Sequence, residues 1–172
     1  MRIHKDKELE DKDKQLEKSE KKNMKLTKFI NNTRPRVKDG YVYIMSTPTY
    51  WKGDIFKVGH TTTLKQRLEK INIGRPKDDK YQYCWYKECY ESQKLDEYIK
   101  LLLKGYRDGK SEIYNNLHFT SLVKIIEFII DNWDKNIEYI NSYIRSFSTI
   151  ELDPIEPEFI DIDSIQIIER RN

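Results

Sequence analysis

The 172-residue sequence has no alanine, only two cysteines, six glycines and five prolines, and no long apolar run. No stretch approaches the roughly 18 apolar residues that a membrane-spanning helix requires, which predicts a protein without membrane contact. The first residues, MRIHKDKELE, lack the apolar core of a secretory signal peptide. The mean hydropathy of −0.86 and the 35% of charged residues predict one soluble domain with appendages, acting inside a cell.

The two cysteines and three histidines predict no structural metal and no disulfide. Cys84 and Cys89 lie five residues apart in a predicted strand, where their side chains should point to opposite faces. There is no C-x-x-C motif, and His4, His60 and His118 have no ligand-like spacing. We therefore expect a reducing compartment and no zinc site.

The formal net charge of +3 hides a strong asymmetry along the chain. Residues 1–38 carry 13 basic and 7 acidic residues, a balance of +6, and residues 39–112 carry 14 and 11, a balance of +3. Residues 113–172 carry 5 basic and 11 acidic residues, a balance of −6. This asymmetry favours nucleic acid as the partner of the front half, whereas the simpler alternative is a solvated surface of mixed charge.

Residues 1–38 are predicted to form a polar helix, or the end of a weak coiled coil, followed by a linker. One seam of a heptad repeat is present, at Leu9, Leu16, Asn23 and Ile30, but the companion seam is nearly absent. Self-association through residues 1–30 is therefore possible only as a weak interaction.

Residues 39–147 are predicted to form an α+β domain with a C-terminal helical extension, and residues 148–172 an acidic tail. Strands are expected at 40–45, 54–60 and 81–90, and helices at 64–71, 92–106, 121–133 and 135–147. The tail alternates acidic residues with isoleucine, which predicts an extended segment, either disordered or added to the sheet as an edge strand.

The first two strands read as a hairpin whose apolar residues, such as Val42 and Ile44, face the core. Tyr43 and Lys57 then project from the opposite face. A lysine there would lower the pKa of the tyrosine, which would make it a usable general base. The alternative is an amphipathic tyrosine beside a lysine on a solvated sheet surface.

Arg67 lies within or beside the apolar stripe of the helix predicted at 64–71. An arginine aimed inward needs a buried carboxylate or a bound phosphate as its partner. On the next helix, Asp96 falls at the edge of the apolar arc and Glu97 on the solvent side. Asp96 is therefore preferred over Glu97 as a metal ligand or as the partner of Arg67.

The segment GYVYIM…DIFKVGHTTTLKQRL resembles the GIY-YIG nuclease superfamily, and is most similar to its divergent branch in phages and large DNA viruses. That branch is often attached to Bro- or KilA-type DNA-binding modules. Tyr41-Val42-Tyr43 stands in the place of the first motif and Lys57-Val58-Gly59 in the place of the second, with Tyr41 and Lys57 as departures from the usual residues. Arg67 follows Gly59 by eight positions, as the family's catalytic arginine does. The resemblance covers about residues 39–120.

The resemblance implies a small three-stranded antiparallel sheet flanked by helices and a metal-dependent DNA endonuclease domain of a viral or mobile-element protein. Tyr43, aided by Lys57, would help to deprotonate the attacking water, and Arg67 would bind the scissile phosphate. Asp96 (or Glu97) would hold a single Mg²⁺ or Mn²⁺ ion. Such a protein would act in the cytoplasm of a bacterium or a virus-infected host cell, or in the nucleus.

Further contacts to phosphate or DNA are expected from His60, Thr61 and Lys65. For His60, a plain surface histidine at the end of a strand is the alternative. Four aromatic residues of the third strand could stack on bases, although packing against the sheet is the more ordinary role for most of them: Tyr81, Tyr83, Trp85 and Tyr86.

Two other functions stay open at this point. The first is a catalytically weak or inactive DNA-binding module of the same fold. The second is an interaction protein that works through residues 1–30 and the acidic tail.

Overall fold

A computed structural model of the chain describes residues 14–15, 38–147 and 152–164. The predicted N-terminal helix lies outside the described residues, apart from Lys14 and Gln15, which are helical. The coiled-coil and self-association predictions therefore also lie outside them. Among the helices of the described part, none combines the length and apolar character needed to cross a membrane.

Residues 38–147 form an α+β domain, as predicted. Its elements are, in chain order, β1 (Lys38–Ser46), α1 (Pro48–Lys52), β2 (Phe56–Thr61), α2 (Leu64–Ile71), β3 (Gln82–Tyr90), α3 (Ser92–Leu102), β4 (Ile113–Tyr114), α4 (Phe119–Asn132) and α5 (Ile137–Arg145). Short 3₁₀ helices follow α3 at Lys104–Tyr106 and end the described tail at Ile162–Ser164.

The described sheet has four antiparallel strands in the order β3-β1-β2-β4, so the prediction of three strands is corrected. The added strand, β4, pairs with β2 through Tyr114 opposite Phe56 and Ile113 opposite Lys57. It was predicted as part of a loop, because two residues are too few to show the alternation that identifies a strand.

Both faces of β1 are covered, which the alternating pattern did not predict. Val42 and Ile44 pack in a first core cluster with α3, α4 and α5, whereas Tyr43 and Met45 pack in a second cluster under α2. All four side chains are fully buried. Tyr43 thus projects from the face opposite Val42 and Ile44, as predicted. The alternative of a solvated sheet surface is wrong, because α2 and the aromatic side chains of β3 close over that face.

The segment between β1 and β2 contains a short helix, α1, where the sequence predicted a loop. Thr47 caps it, since its side chain accepts a hydrogen bond of 3.1 Å from the Tyr50 amide, and Pro48 occupies the first turn. The helix carries Trp51 into the first core cluster, where its ring packs on the edge of Phe56.

Both cysteines are free and buried in the same core cluster, although their five-residue spacing predicted opposite faces. The reason is a register shift in β3: Ile44 pairs with Trp85, but Met45 pairs with Tyr83. The extra residue places Cys84 and Trp85 on the same face of the sheet. The regular alternation after Trp85 then brings Cys89 to that face as well.

The predicted helices are present with adjusted ends. The helix predicted at 92–106 is α3, which ends at Leu102 and is followed by the 3₁₀ turn. The helix predicted at 121–133 is α4, which begins at Phe119, where the His118 side chain accepts a hydrogen bond from the Thr120 amide. The predicted stripe of α5 is confirmed by burial of its isoleucines: Ile137, Ile140 and Ile144.

Residues 152–162 of the acidic tail pack against the domain and are called the strap below. Its residues 152–161 form neither helix nor strand. Trp51 Nε1 donates a hydrogen bond of 2.8 Å to the Ile155 carbonyl, and the Ile160 amide donates one of 2.8 Å to the Tyr83 carbonyl. Phe159 packs against the first core cluster. The strap thus contacts β3 through the backbone bond from Ile160 to Tyr83, and Ile160 and Ile162 pack against the second core cluster. It adds no edge strand to the described sheet.

Candidate functional site

The β1–β2 pair brings the two predicted motifs side by side. Tyr43 of β1 lies directly opposite Gly59 of β2. A Cβ atom built on Gly59 would lie 2.5 Å from the Tyr43 hydroxyl oxygen and 2.8 Å from Cζ. Only glycine leaves room for the tyrosine ring to cross the neighbouring strand. The motif glycine is therefore explained by packing against the motif tyrosine.

Arg67 reaches the same tyrosine from α2. Its Nε atom donates a hydrogen bond of 3.1 Å to the Tyr43 hydroxyl. This bond is the main reason that the pKa of Arg67 lies above its usual value. The side chain remains about one-third exposed, at 36%, so part of the guanidinium is accessible to a ligand. The inward aim predicted for Arg67 is confirmed: it bonds to the Tyr43 phenol and lies 3.9 Å from the Glu112 carboxylate. The predicted alternative partner, Asp96, pairs with His60 and Lys100 instead.

Tyr43 itself is a weak acid in this environment. Burial raises its pKa to about 12, although the hydrogen bond and charge of Arg67 act in the opposite direction. Lys57 lies opposite Met45 in the register and bonds to Glu112. The prediction that Lys57 lowers the pKa of Tyr43 is therefore wrong, since burial dominates and the nearest cation is Arg67.

Glu112, just before β4, joins three cations of the site. Its Oε2 atom lies 2.9 Å from Lys57 Nζ and 3.9 Å from Arg67 Nη2, and its Oε1 atom lies 3.6 Å from Lys100 Nζ. Burial alone would raise the pKa of Glu112, but the Lys57 hydrogen bond and the surrounding charges overcome that effect and lower it. Glu112 is thus an anion that holds elements β2, α2 and α3 together.

Asp96 is the buried acid of α3, as its place at the edge of the apolar arc predicted. It is fully buried, whereas Glu97 is exposed. Its Oδ2 atom lies 2.9 Å from His60 Nδ1 and 3.2 Å from Lys100 Nζ. Its other oxygen, Oδ1, has no hydrogen-bond partner among the described residues. His60 therefore has its Nδ1 occupied and keeps Nε2 for another contact.

Seven side chains form this arrangement, which we call the charge cluster: Tyr43, Lys57, His60, Arg67, Asp96, Lys100 and Glu112. Thr61 and Lys65 flank it. The Thr61 hydroxyl accepts a hydrogen bond of 3.1 Å from the Thr63 amide and so shapes the entry into α2, and Lys65 is exposed on the first turn of that helix.

Two members of the charge cluster, Lys100 and Glu112, were not predicted. Lys100 lies four residues after Asp96 on the same helix, a spacing typical of ion pairs, so a search for that spacing would have found it. Glu112 lies in an irregular segment before a two-residue strand, and no periodic signal marks it.

The aromatic residues of β3 act mainly in packing. Tyr81 and Tyr83 are buried, and the Tyr83 hydroxyl donates a hydrogen bond of 2.7 Å to the Leu64 carbonyl. Trp85 and Tyr86 are half-buried against the two core clusters. The packing alternative is therefore confirmed for Tyr81 and Tyr83.

The site offers oxygen ligands for a hard cation. Asp96 and Glu112 present carboxylates to the same lysine, and Asp96 Oδ1 is a buried acceptor that no described residue engages. Within the described ranges no group of three or more His, Cys, Asp or Glu residues is assembled for a metal. Two carboxylates are nevertheless a usual protein share for Mg²⁺, which keeps several waters and binds substrate phosphates.

Fold and site together define a small α+β domain with a half-buried, ion-paired polar site beside the central β1–β2 pair. The chain belongs to the T5orf172 domain family, whose profile matches residues 40–133. The matched segment contains the whole charge cluster, whereas the strap and α5 lie beyond it.

Similar proteins occur in viruses. The chain is 35% identical over 151 residues to "Putative Bro-N domain-containing protein 019R" of Invertebrate iridescent virus 3, which covers 84% of this chain and 37% of that protein. The similarly named 289L of Invertebrate iridescent virus 6 is 28% identical over 130 residues, covering 74% and 30%. The chain thus spans about a third of the length of these relatives. No solved structure matches it significantly.

Proposed function

We propose that this T5orf172 domain binds DNA and hydrolyses its phosphodiester bonds as a metal-dependent endonuclease of the GIY-YIG type, within a viral or mobile-element protein. The observation that carries the proposal is the contact of Arg67 with Tyr43 across Gly59. This contact brings together the tyrosine of the first motif, the glycine of the second motif and the arginine eight positions after that glycine. The Bro-N names of the viral relatives support a viral setting inside an infected cell.

Arg67 is the proposed phosphate-binding residue. Its Nε atom is fixed by Tyr43, while the exposed part of the guanidinium keeps donors for a phosphate oxygen. A guanidinium fixed in advance stabilises the charge that develops on the phosphate in the transition state. His60, Thr61 and Lys65 lie at the end of β2 and the start of α2, and are proposed as further phosphate or DNA contacts.

Tyr43 acts in this proposal as a phenol that positions Arg67. With a pKa of about 12, it keeps its proton at neutral pH, so it does not start the reaction as a phenolate. Lys57 holds Glu112 at 2.9 Å and so contributes to the shape of the site.

Asp96 and Glu112 are the residues that would hold a Mg²⁺ or Mn²⁺ ion, with Glu97 excluded from the site by its exposure. Such an ion would supply charge for the leaving oxygen. Both carboxylates contact the Lys100 ammonium, at 3.2 Å and 3.6 Å.

The test is cleavage of supercoiled plasmid by the full chain with Mg²⁺ or Mn²⁺. We expect Arg67→Ala to reduce the cleavage rate by about 10²–10³-fold, the usual cost of losing a transition-state donor. Arg145→Ala on α5 is the matched control and should cut like the wild type, since Arg145 is 65% exposed and its contacts with Ser142 (3.2 Å) and Glu138 (4.0 Å) lie within α5, outside the charge cluster. Equal rates for the two variants would contradict the role of Arg67.

A DNA-binding module without catalysis is the second candidate function. It is favoured by one observation, the Lys100 ammonium lying between the two carboxylates that would hold the metal. A wild-type chain that shifts DNA in a gel but never cuts it would select this function. Binding should weaken as salt rises, because bound cations of the protein release counterions from DNA. A chain that neither binds nor cuts would refute both.

A further inference from the structure

Lys100 bridges two carboxylates that come from different parts of the fold. Its Nζ atom lies 3.2 Å from Asp96 Oδ2, one turn earlier on α3, and 3.6 Å from Glu112 Oε1, beside β4. The Lys100 side chain is 20% exposed, so the ammonium is partly withdrawn from water while its stem can still extend outward.

We propose that Lys100 is the resident cation of this site and that it competes with a divalent cation for the place between Asp96 and Glu112. This inference deepens the proposed function and rests on it for the identity of the metal ligands. Lys100 keeps the two carboxylates together when no divalent ion is bound, and it must move toward solvent when one binds.

The charge balance of the cluster explains the competition. Two anions, Asp96 and Glu112, face three cations, namely Lys57, Arg67 and Lys100, so the formal charge is already +1 with neutral His60. A divalent ion added to this set would raise the charge to +3 in a partly buried volume, which is unfavourable.

The unused oxygen of Asp96 shows where the incoming ion would gain a ligand. Oδ2 is shared by His60 and Lys100, but Oδ1 is buried and has no hydrogen-bond partner among the described residues. Removal of the Lys100 charge leaves Asp96 Oδ1 and Glu112 Oε1 open to a cation, while Oδ2 keeps its contact with His60. Two carboxylates drawn to one ion replace the attraction that the ammonium supplied.

The experiment is isothermal titration of Mn²⁺ into the full chain without DNA. We expect Lys100→Met to bind Mn²⁺ at least about tenfold more tightly than the wild type, because the ammonium that competes for Asp96 and Glu112 is removed. Lys100→Arg keeps the charge, and Lys94→Met removes a charge from an exposed position on the same helix. Both should stay within about twofold of the wild type.

An unchanged or weaker affinity in Lys100→Met would overturn the proposal, and so would an equal gain in Lys100→Arg. A second measurement uses the wild-type chain alone, so it does not depend on whether a variant folds. Because bound Mn²⁺ would move Lys100 toward solvent, it should raise the rate at which an amine-reactive ester acetylates Lys100, relative to Lys94 in the same sample. A ratio that Mn²⁺ leaves unchanged or lowers would refute the displacement of Lys100. Neither measurement involves cleavage, so a failed plasmid assay and a failed competition are distinguished.

Discussion

Replacement of Gly59 by alanine tests whether the packing of Tyr43 against β2 requires glycine at position 59. The added Cβ would lie 2.5 Å from the hydroxyl oxygen, 2.8 Å from Cζ and 3.3 Å from Cε2 of Tyr43. The ring cannot withdraw freely, since it is fully buried and meets Tyr83 edge-on at a centroid distance of 5.4 Å. One of the two strands or the ring must therefore shift.

The expected cost follows from the behaviour of overpacked cores. An unaccommodated methyl group costs about 1–3 kcal/mol of unfolding free energy. At about 4 °C per kcal/mol for a domain of this size, the melting temperature should fall by about 4–12 °C. Removal of the Tyr43 hydroxyl relieves the shortest contact, so Tyr43→Phe should recover part of the loss in the double variant.

Thermal unfolding followed by circular dichroism measures this loss. Gly105→Ala is the matched control, because a Cβ there meets no atom within 4 Å and its backbone is outside the left-handed region. We expect that control to unfold within about 1 °C of the wild type or slightly above it. If Gly59→Ala unfolds together with Gly105→Ala, the steric explanation of the motif glycine is refuted.

Further predictions concern pH and the strap. Because the pKa of Tyr43 is raised to about 12 from 10.0, its stabilising effect is complete below pH 10 and is lost as pH rises through 12; Tyr43→Phe should therefore lose stability less steeply over that range in urea titrations. The pKa of Glu112 is lowered, so its contribution to stability is present above about pH 4.5 and is lost as the pH falls further. The free energy of unfolding of Glu112→Gln should therefore fall less steeply in acid than that of the wild type, and an equally steep fall would contradict the ion-pair geometry. Trp51→Phe removes the hydrogen bond to the Ile155 carbonyl and should lower the free energy of unfolding in urea by about 1 kcal/mol. Trp133→Phe, at the C-terminal end of α4, is the control: it makes the same change of ring without losing that bond, so its loss should be smaller.

The central part of the fold could be predicted because its residues follow simple periods. Successive side chains of β1 lie on opposite faces of the sheet, α2 has its apolar stripe, and the α5 isoleucines recur at helical spacing. The same spacing distinguished Asp96 from Glu97, because rotation about a helix axis places adjacent residues on different sides.

The remaining parts depend on contacts that no local pattern records. The burial of Tyr43 results from α2 and β3 closing over one face of the sheet, and both come later in the chain. The shared cluster of Cys84 and Cys89 results from one extra residue in β3. Glu112 enters the site through the pairing of β4 with β2, a contact between segments more than fifty residues apart. A strand of two residues is too short to give a sequence pattern that would predict this pairing.

The strap has a consequence for the order in which the molecule is completed. Its hydrogen bond from Trp51 to Ile155 joins residues 104 positions apart, so it cannot form until residue 155 has been synthesised. During synthesis the sheet, α3 and the charge cluster are all made before the strap, which begins only at residue 152. The partners of the Trp51 indole N–H and of the Tyr83 carbonyl therefore come from residues that are synthesised after the sheet and that lie outside the family match.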